Sequence, residues 1–403
     1  MKKLFYNYID TFRGLSIEVW WLALITFINR SGTMIIPFLS LYLREDLGIN
    51  QANIGWVMTC FGLGSVVGVW LGGKLTDNIG YYKVMVRSLF STGILFIALQ
   101  FLDTFATFCI GIFLVMIVAD TFRPAMYVAM SVYSKPENKT RSVTLIRLAI
   151  NLGFSAGPAI GGLIITYLGY GGLFWVDGIT CILATLLLVG VLNPRKAKPL
   201  DNEVNENPKS VYKDKPYWIF FLAMVFFAFI FMQYFSTMPL YYKDIHSLSE
   251  LKIGLLLGLN GLLISVTEMP LIAWLETKSY TKIGMTLFGL LLTVLSFLVL
   301  NLAPWVGVLL IGIVFMTVGE MVGFPMSNAF AMHRSKRGKQ GEYLAMYVMS
   351  FSIAGVFGHN AGLQISHFYG YDFTWYLMCG LGLIGVLLLL YLKRILKKRN
   401  ELY

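Results

Sequence analysis

The chain has few charged side chains: Asp, Glu, Lys and Arg make up 13% of its 403 residues, and 57% of the residues are hydrophobic. Soluble domains contain about 25% charged and roughly 45–50% apolar residues, so this chain lacks the polar surface that a water-soluble globule needs. Its mean hydropathy is +0.70. Its apolar segments are long enough, as helices, to cross a hydrocarbon core of about 30 Å. The composition predicts an integral membrane protein.

Cysteine is also scarce, and the four thiols lie in apolar segments without metal-site spacing: Cys60, Cys109, Cys181 and Cys379. Such thiols usually pack as small hydrophobic groups. A partial match to a phosphate-binding loop, Gly68 to Lys74, has Leu75 where Ser or Thr must bind magnesium. No signal-peptide pattern opens the chain, and no nucleophile–base set is evident. We therefore expect no enzyme activity, no metal and no cofactor.

Twelve apolar segments are predicted as membrane helices, here called spans 1 to 12: 17–43, 51–74, 83–103, 105–131, 142–168, 171–193, 217–243, 251–275, 282–302, 304–331, 342–367 and 372–392. A polar stretch flanked by prolines separates six spans from six. The prediction is an all-α membrane fold with an N-terminal six-helix bundle at 1–193, a cytoplasmic linker at 194–216 and a C-terminal six-helix bundle at 217–403.

The basic residues are distributed unevenly between the two sides of the membrane. Loops on one side hold only three of the 32 Lys and Arg residues: Arg44, Lys243 and Lys252. Three more lie within spans, and the others lie in or beside the opposite loops and the termini. Because cytoplasmic loops hold the basic excess, we predict cytoplasmic N- and C-termini in a bacterial inner membrane. This topology explains the net charge of +11 without a nucleic-acid partner.

The two halves of the sequence resemble each other at a nearly constant offset. The matches include Gly62 with Gly261 at 199 residues and, at 201 residues, Gly157 with Gly358 and Gly169-Tyr170 with Gly370-Tyr371. An offset that holds across several spans is typical of a duplicated six-helix unit. Repeats of this kind place a substrate cavity near the membrane midplane, so the duplication predicts a transporter.

Glycine and proline are concentrated in the span 5 segment GFSAGPAIGG, residues 153–162. Gly153, Gly157 and Gly161 are spaced by four residues and share one helix face, and small residues allow close helix packing in lipid. Pro158 removes a backbone donor and favours a bend. On spacing alone, this is either a plain packing face or a bendable contact between moving helices.

The pattern from Gly153 to Gly162 resembles the fifth-helix signature of antiporters in the major facilitator superfamily. The matched residues are Gly153, Gly157, Pro158, Gly161 and Gly162. In that family the kinked, small-residue face packs against helices of the other half and favours exchange over leak. The resemblance covers essentially the whole chain, and it implies the family's fold of two pseudo-symmetric six-helix bundles.

A second stretch, between spans 2 and 3, is similar to the family's signature loop. Gly73, Asp77 and Gly80 match that signature, and Lys83 supplies one basic residue. Asn78 stands where the family usually has Arg. The resemblance implies a breakable latch on the cytoplasmic side that involves Asp77 and Lys83, and the alternative is a solvated turn.

Four ionisable residues lie near the middle of their spans: Arg30, Asp120, Arg123 and Glu320. Each costs roughly 2.5–3.5 kcal/mol at mid-membrane on insertion scales, which makes them functional candidates. Asp120 and Arg123 are i, i+3 neighbours and can pair on one helix face. This pair has either a structural role or a role in proton coupling. We predict a substrate cavity lined by Arg30, Arg123 and Glu320.

Glu320 has no basic residue within a helical turn of the sequence. Its charged form therefore needs a partner on another helix or a wet cavity, and a carboxyl that gains and loses a proton is what coupling requires. We hypothesise that Glu320 carries the proton, with Arg30 or Arg123 as the competing cation and Asp120 as a further coupling residue. The alternative is a hydrogen-bonded core carboxyl without a transport role.

Together these features predict a proton-coupled exporter of the twelve-helix drug:proton antiporter kind. It would move small amphipathic or cationic organic compounds outward as a monomer, driven by the proton gradient. The second hypothesis is a proton symporter that takes up peptides or similar nutrients, although span 1 lacks a paired-glutamate motif and has only Glu18 near its start. A third is a membrane scaffold with this fold that transports nothing.

Overall fold

The computed structural model describes residues 14–32, 34–135, 139–194, 210–276, 278, 280–302, 305–335 and 340–401. In the first repeat the helices are Ile17–Ser31 and Ile35–Glu45 (span 1), Gln51–Ile79 (span 2), Tyr81–Leu99 (span 3), Phe105–Asp120 and Phe122–Tyr133 (span 4), Lys139–Leu168 (span 5) and Gly171–Val191 (span 6). In the second they are Lys215–Phe231 and Gln233–Asp244 (span 7), Glu250–Glu276 (span 8), Lys282–Leu300 (span 9), Gly307–Ser335 (span 10) and Gln340–Lys398 (spans 11 and 12).

Long apolar helices make up the fold. Within the described ranges, eleven helices are long and apolar enough to cross a membrane. The last of them, Tyr343–Lys398, is 56 residues long and is divided at Gly370, where φ is 81°. Glycine tolerates this left-handed backbone without a Cβ clash. The all-α membrane fold predicted from composition and periodicity is confirmed.

Glycine lets the helices of the first repeat approach closely. Span 1 packs against span 5, span 2 against span 4 and span 3 against span 6. On span 2, a Cβ added at Gly64, Gly68 or Gly72 would lie under 3.0 Å from the backbone of span 4. Such contacts are typical of small-residue packing between membrane helices. Gly68, part of the apparent phosphate-binding loop, is thus a packing residue.

The repeats agree at the level of individual contacts. A Cβ at Gly161 of span 5 would meet Met34 and Phe38 of span 1. One at Gly362 of span 11 would meet Gln233 and Thr237 of span 7. The glycines are related by the offset of 201 residues and their partners by the offset of 199. The duplication inferred from the sequence is therefore visible in the packing.

In each repeat, the turn before the last helix is hydrogen-bonded to the end of the first span in the same way. Gly169 and Gly370 both have positive φ, and each is followed by a tyrosine. The Tyr170 hydroxyl donates to Glu45 at 2.9 Å, and the Tyr371 hydroxyl donates to Asp244. Burial, the Glu45 carboxylate and the Glu250 carboxylate raise the pKa of Tyr170, so the phenol keeps the proton that it donates.

Span 1 is broken, and a buried carboxylate caps the break. Its second helix begins at Ile35, and the side chain of Asp177 in span 6 accepts hydrogen bonds from the amides of Met34 at 3.0 Å and Ile35 at 2.9 Å. Asp177 is fully buried. The orphan amides at a helix N-terminus need such acceptors where water is excluded. Asp177, an ionisable residue of span 6, therefore has structural partners in the amides of Met34 and Ile35.

We expect the variant Asp177→Ala to lose about 1–3 kcal/mol for each buried amide that it leaves unsatisfied. The measurement is the thermal unfolding midpoint of the purified protein in detergent. Asp177→Asn, which keeps one acceptor oxygen, should fall between wild type and Asp177→Ala. The exposed Asp103 provides the control variant Asp103→Ala. Equal midpoints for wild type and Asp177→Ala would contradict the capping role.

The chain divides into two compact units. The first comprises described residues up to 200 together with Ser247–Ser265, and the second comprises described residues of 201–246 and from Val266 onward. The first part of span 8 thus belongs to the same unit as spans 1 to 6, although the sequence places it in the second repeat. Most of the predicted linker, residues 195–209, lies outside the described residues.

Candidate functional site

Asp120 and Arg123 form an ion pair in the first unit. Arg123 Nε lies 3.0 Å from Asp120 Oδ1, and the side chains are 45% and 4% exposed, respectively. The hydroxyl of Ser65, on span 2, donates a short hydrogen bond to Asp120 Oδ2. The buried carboxylate therefore has a cation on one oxygen and a hydroxyl donor on the other.

Arg30 completes a small charged cluster in this unit. Asp120 and Arg123 are both within electrostatic range of its guanidinium group. Its guanidinium carbon lies 5.7 Å from the ring centroid of Phe154 in span 5, a cation–π distance. Three of the predicted site residues, Arg30, Asp120 and Arg123, are thus brought together in the first unit.

Two residues of this site escaped the sequence analysis. Ser65 is a polar side chain on an apolar helix, and its partner is 55 residues away, so no local pattern points to it. Tyr127, which is within electrostatic range of Arg30, follows Arg123 by four residues. The i, i+4 spacing places both side chains on one helix face, so Tyr127 could have been identified from the sequence.

The glycine face of span 5 packs within its own repeat. A Cβ at Gly153 would meet Arg30, Phe27 and Ser31 of span 1, and one at Gly157 would meet the Ser31 carbonyl. The resemblance to antiporters implied packing against the other half, which does not hold for this face. Gly153, Gly157 and Gly161 lie on the side of span 5 that faces span 1. Span 11 repeats this arrangement in the second repeat.

The neighbouring face of span 5 contacts span 8. A Cβ at Gly254 would lie under 3.0 Å from the carbonyl of Pro158, and one at Gly162 would lie 2.7 Å from the Glu250 carbonyl. The Ser155 hydroxyl donates to the Gly258 carbonyl at 2.8 Å. Pro158 and Gly162 therefore meet a helix of the second sequence repeat, as the resemblance implied, inside the first compact unit.

Glu320 lies in the second unit, where span 10 packs closely against span 9. A Cβ at Gly289 would lie 2.6 Å from the Gly319 carbonyl and from Gly323 Cα. Glu320 follows Gly319 by one position, about 100° further around the helix, and is half-buried. The close packing of spans 9 and 10 fixes the position of the helical turn that carries the Glu320 carboxyl.

The predicted latch residues lie around the end of span 2. No neighbouring atom lies within 4 Å of a Cβ built at Gly73. Gly80 has φ of 87° and links the helices of spans 2 and 3, and Lys83 is exposed. Asp77 belongs to the span 2 helix, but its side chain lies outside the described residues. The latch stays a prediction.

A second charged cluster joins the start of span 7 to the end of span 10. Arg334 is 2% exposed and contacts both oxygens of Asp214, at 2.7 and 2.8 Å, and Glu401 at 3.2 Å. The Tyr343 hydroxyl also donates to Asp214, at 3.0 Å. Burial alone would raise the pKa of Asp214, but the hydrogen bonds and charge of Arg334 outweigh it and lower that pKa below its usual value.

This pKa shift predicts how stability depends on pH. Because the folded-state pKa is below the unfolded value of about 3.9, the stabilisation is present above that pH and is lost as pH falls through the folded pKa. Asp214→Asn leaves Glu401 as the carboxylate partner of the buried Arg334, so the cost should lie below the roughly 3–5 kcal/mol of a fully broken buried ion pair. Thermal midpoints measured from pH 8 to 3 should show a gap between wild type and Asp214→Asn that closes below about pH 4. A constant gap would contradict the assignment.

Comparison with known proteins gives consistent matches. The family model described as the Major Facilitator Superfamily matches residues 19–359 and 270–402. The MFS-type transporter YqjV of Bacillus subtilis is 22% identical over 341 residues, which cover 80% of each chain. The Na(+), Li(+), K(+)/H(+) antiporter of Planococcus maritimus is 19% identical over 407 residues, 93% of this chain and 95% of its own. A solved POT family transporter in complex with 5-aminolevulinic acid has a TM-score of 0.79 at 14% identity, covering 96% and 97% of the two chains, which shows the likeness of fold.

Proposed function

Because the chain belongs to the major facilitator superfamily, we propose that it is a proton-coupled antiporter that exports small amphipathic organic compounds by alternating access. The observation that supports exchange most directly is the contact between spans 5 and 8. Ser155, Pro158 and Gly162 meet the backbone of span 8 with almost no side chain between the helices. Such a close seam leaves little room for water, so it favours coupled exchange over leak.

Two further features support this proposal. The antiporter of Planococcus maritimus resembles nearly the full length of the chain. The membrane-embedded acids Asp120 and Glu320 offer sites for a coupling proton, and Asp120 pairs with Arg123 and accepts a hydrogen bond from Ser65. We place the proton on Glu320, a half-buried carboxyl of span 10, with Asp120 as the counterion of Arg123.

The proposal includes a location and a topology. The protein lies in the cytoplasmic membrane of a bacterium with both termini inside, works as a monomer and uses the proton gradient. Asp77 and Lys83, with Gly73 and Gly80, form its cytoplasmic latch. The one-sided distribution of Lys and Arg in the loops supports this orientation.

Reconstitution tests the function. Purified protein is placed in liposomes with a pH-sensitive dye inside, a proton gradient is imposed, and candidate substrates are added one at a time. The panel contains lipophilic cations, antibiotics, organic acids and dipeptides. Antiport predicts that a substrate dissipates the gradient, whereas proton-driven accumulation of a dipeptide in the direction of proton flow would establish the symporter alternative. A panel without any coupled flux would overturn the proposal.

A second candidate is the exchange of monovalent cations for protons. It rests on the similarity to the Na(+), Li(+), K(+)/H(+) antiporter of Planococcus maritimus, which extends over 93% of this chain. The same liposomes distinguish it from drug export, because addition of Na⁺, Li⁺ or K⁺ alone would then dissipate the gradient. Organic compounds would have no effect.

A further inference from the structure

One face of the first unit combines positive charge with aromatic rings. We call it the basic aromatic face and define it as Arg30, Arg123, Tyr127 and Phe154. The Arg123 side chain is 45% exposed although it lies near the middle of span 4. An arginine facing lipid at that depth is costly, by roughly 2.5–3.5 kcal/mol on insertion scales, so exposed arginines in spans line water-filled cavities. The basic aromatic face therefore borders water.

The charges of this face do not cancel. Among the residues that the structure describes, the guanidinium groups of Arg30 and Arg123 are within electrostatic range of the Asp120 carboxylate. The ion pair with Asp120 uses the Nε atom of Arg123. Because a guanidinium group has five N–H donors in one plane, it has the geometry to bind a second carboxylate as well. The excess of one positive charge repels a cationic ligand and attracts an anionic one.

The aromatic members lie beside these charges. Tyr127 is 53% exposed and Phe154 is 41% exposed. Tyr127 is one helical turn from Arg123, and Phe154 lies beneath the guanidinium group of Arg30. Arg30 has both rings as neighbours. Exposed aromatic rings provide a surface for the apolar body of a ligand, and the neighbouring arginine guanidinium group can bind the charged head of the same ligand.

We propose that the first unit binds an organic anion, with its carboxylate on Arg123 and its apolar or aromatic body against Tyr127 and Phe154. This inference rests on the proposed function and names the substrate class of that site. The sequence predicts amphipathic or cationic substrates, whereas the positive charge of the basic aromatic face favours amphipathic anions.

Three ring compounds that differ in charge test the proposal: benzoate, benzyl alcohol and benzylamine. Binding to the purified full-length protein is measured by isothermal titration calorimetry at pH 7, and coupled flux is measured in the liposome assay. We expect benzoate to bind at least about tenfold more tightly than the other two, as a charge-assisted hydrogen bond provides. Benzylamine binding as tightly as benzoate, or more tightly, would overturn the proposal, and this comparison needs no variant.

Variants then locate the site. Arg123→Gln should weaken benzoate binding by about tenfold or more, and Arg123→Lys, which keeps the charge but loses the fork, should lie in between. Arg87→Gln, at an exposed arginine of span 3 outside the face, is the matched control. Unchanged benzoate affinity in a folded Arg123→Gln protein would contradict this site. Coupled flux with cations only would refute the anion inference and leave the antiporter proposal standing, whereas binding without any coupled flux would refute the antiporter.

Discussion

We expect the variant Glu320→Gln to lose proton-driven transport and to retain exchange of substrate for substrate. Glutamine matches the shape of a protonated glutamate but cannot release a proton, so a carrier with this substitution behaves as if its coupling site were permanently neutral. We expect gradient-driven flux to fall to the level of empty liposomes. Counterflow of labelled substrate against unlabelled substrate should stay near the wild-type rate.

Measuring gradient-driven flux and counterflow on the same preparation distinguishes a loss of proton coupling from a loss of folding. A variant that is merely misfolded loses counterflow as well, so retained counterflow shows that the alternating-access cycle is intact. Asp103→Asn, at an exposed carboxylate beyond the C-terminal end of the span 3 helix Tyr81–Leu99, is the matched control and should keep both activities. If gradient-driven flux survives in Glu320→Gln, Glu320 is not the proton carrier.

The variant Gly254→Ala should lose both transport and stability. Its added methyl group would lie under 3.0 Å from the backbone carbonyl of Pro158, and a backbone atom cannot move aside as a flexible side chain does. Overpacking of this kind typically costs about 1–3 kcal/mol. Transport in liposomes and the thermal midpoint in detergent measure the two effects.

Glycine variants elsewhere make this test specific. Gly162→Ala adds a methyl group on the opposite side of the same contact, 2.7 Å from the Glu250 carbonyl, and should have the same effect. Gly380→Ala is the control, since no neighbouring atom lies within 4 Å of its new Cβ. Wild-type transport and stability in Gly254→Ala would show that spans 5 and 8 separate without cost, contrary to the proposed seam.

Much of the fold follows from patterns that lie along the sequence. Apolar length predicts the spans, and the constant offset between the halves predicts a duplicated unit, which the structure shows in the matching contacts of Gly161 with Phe38 and Gly362 with Thr237. The pair of Asp120 and Arg123 also follows from local spacing, because i, i+3 neighbours share a helix face. Periodicity and short-range geometry suffice for these features.

Other features depend on which helices become neighbours in space. The stripe of Gly153, Gly157 and Gly161 indicates close packing, but its spacing does not say which helix will approach. The partner is span 1, and the contact with span 8 is made by the adjacent face with Pro158. The hydrogen bond of Ser65 to Asp120 is beyond sequence reasoning for the same reason, since the helices that bring them together are set by the whole bundle.

The cap on the second half of span 1 constrains how the protein is made. The amide of Met34 and its acceptor Asp177 are 143 residues apart, so the ribosome releases span 1 long before its cap exists. In the hydrocarbon interior no water substitutes for the missing carboxylate. Span 1 therefore completes its structure only once span 6 has been inserted, and the first six spans mature together rather than helix by helix.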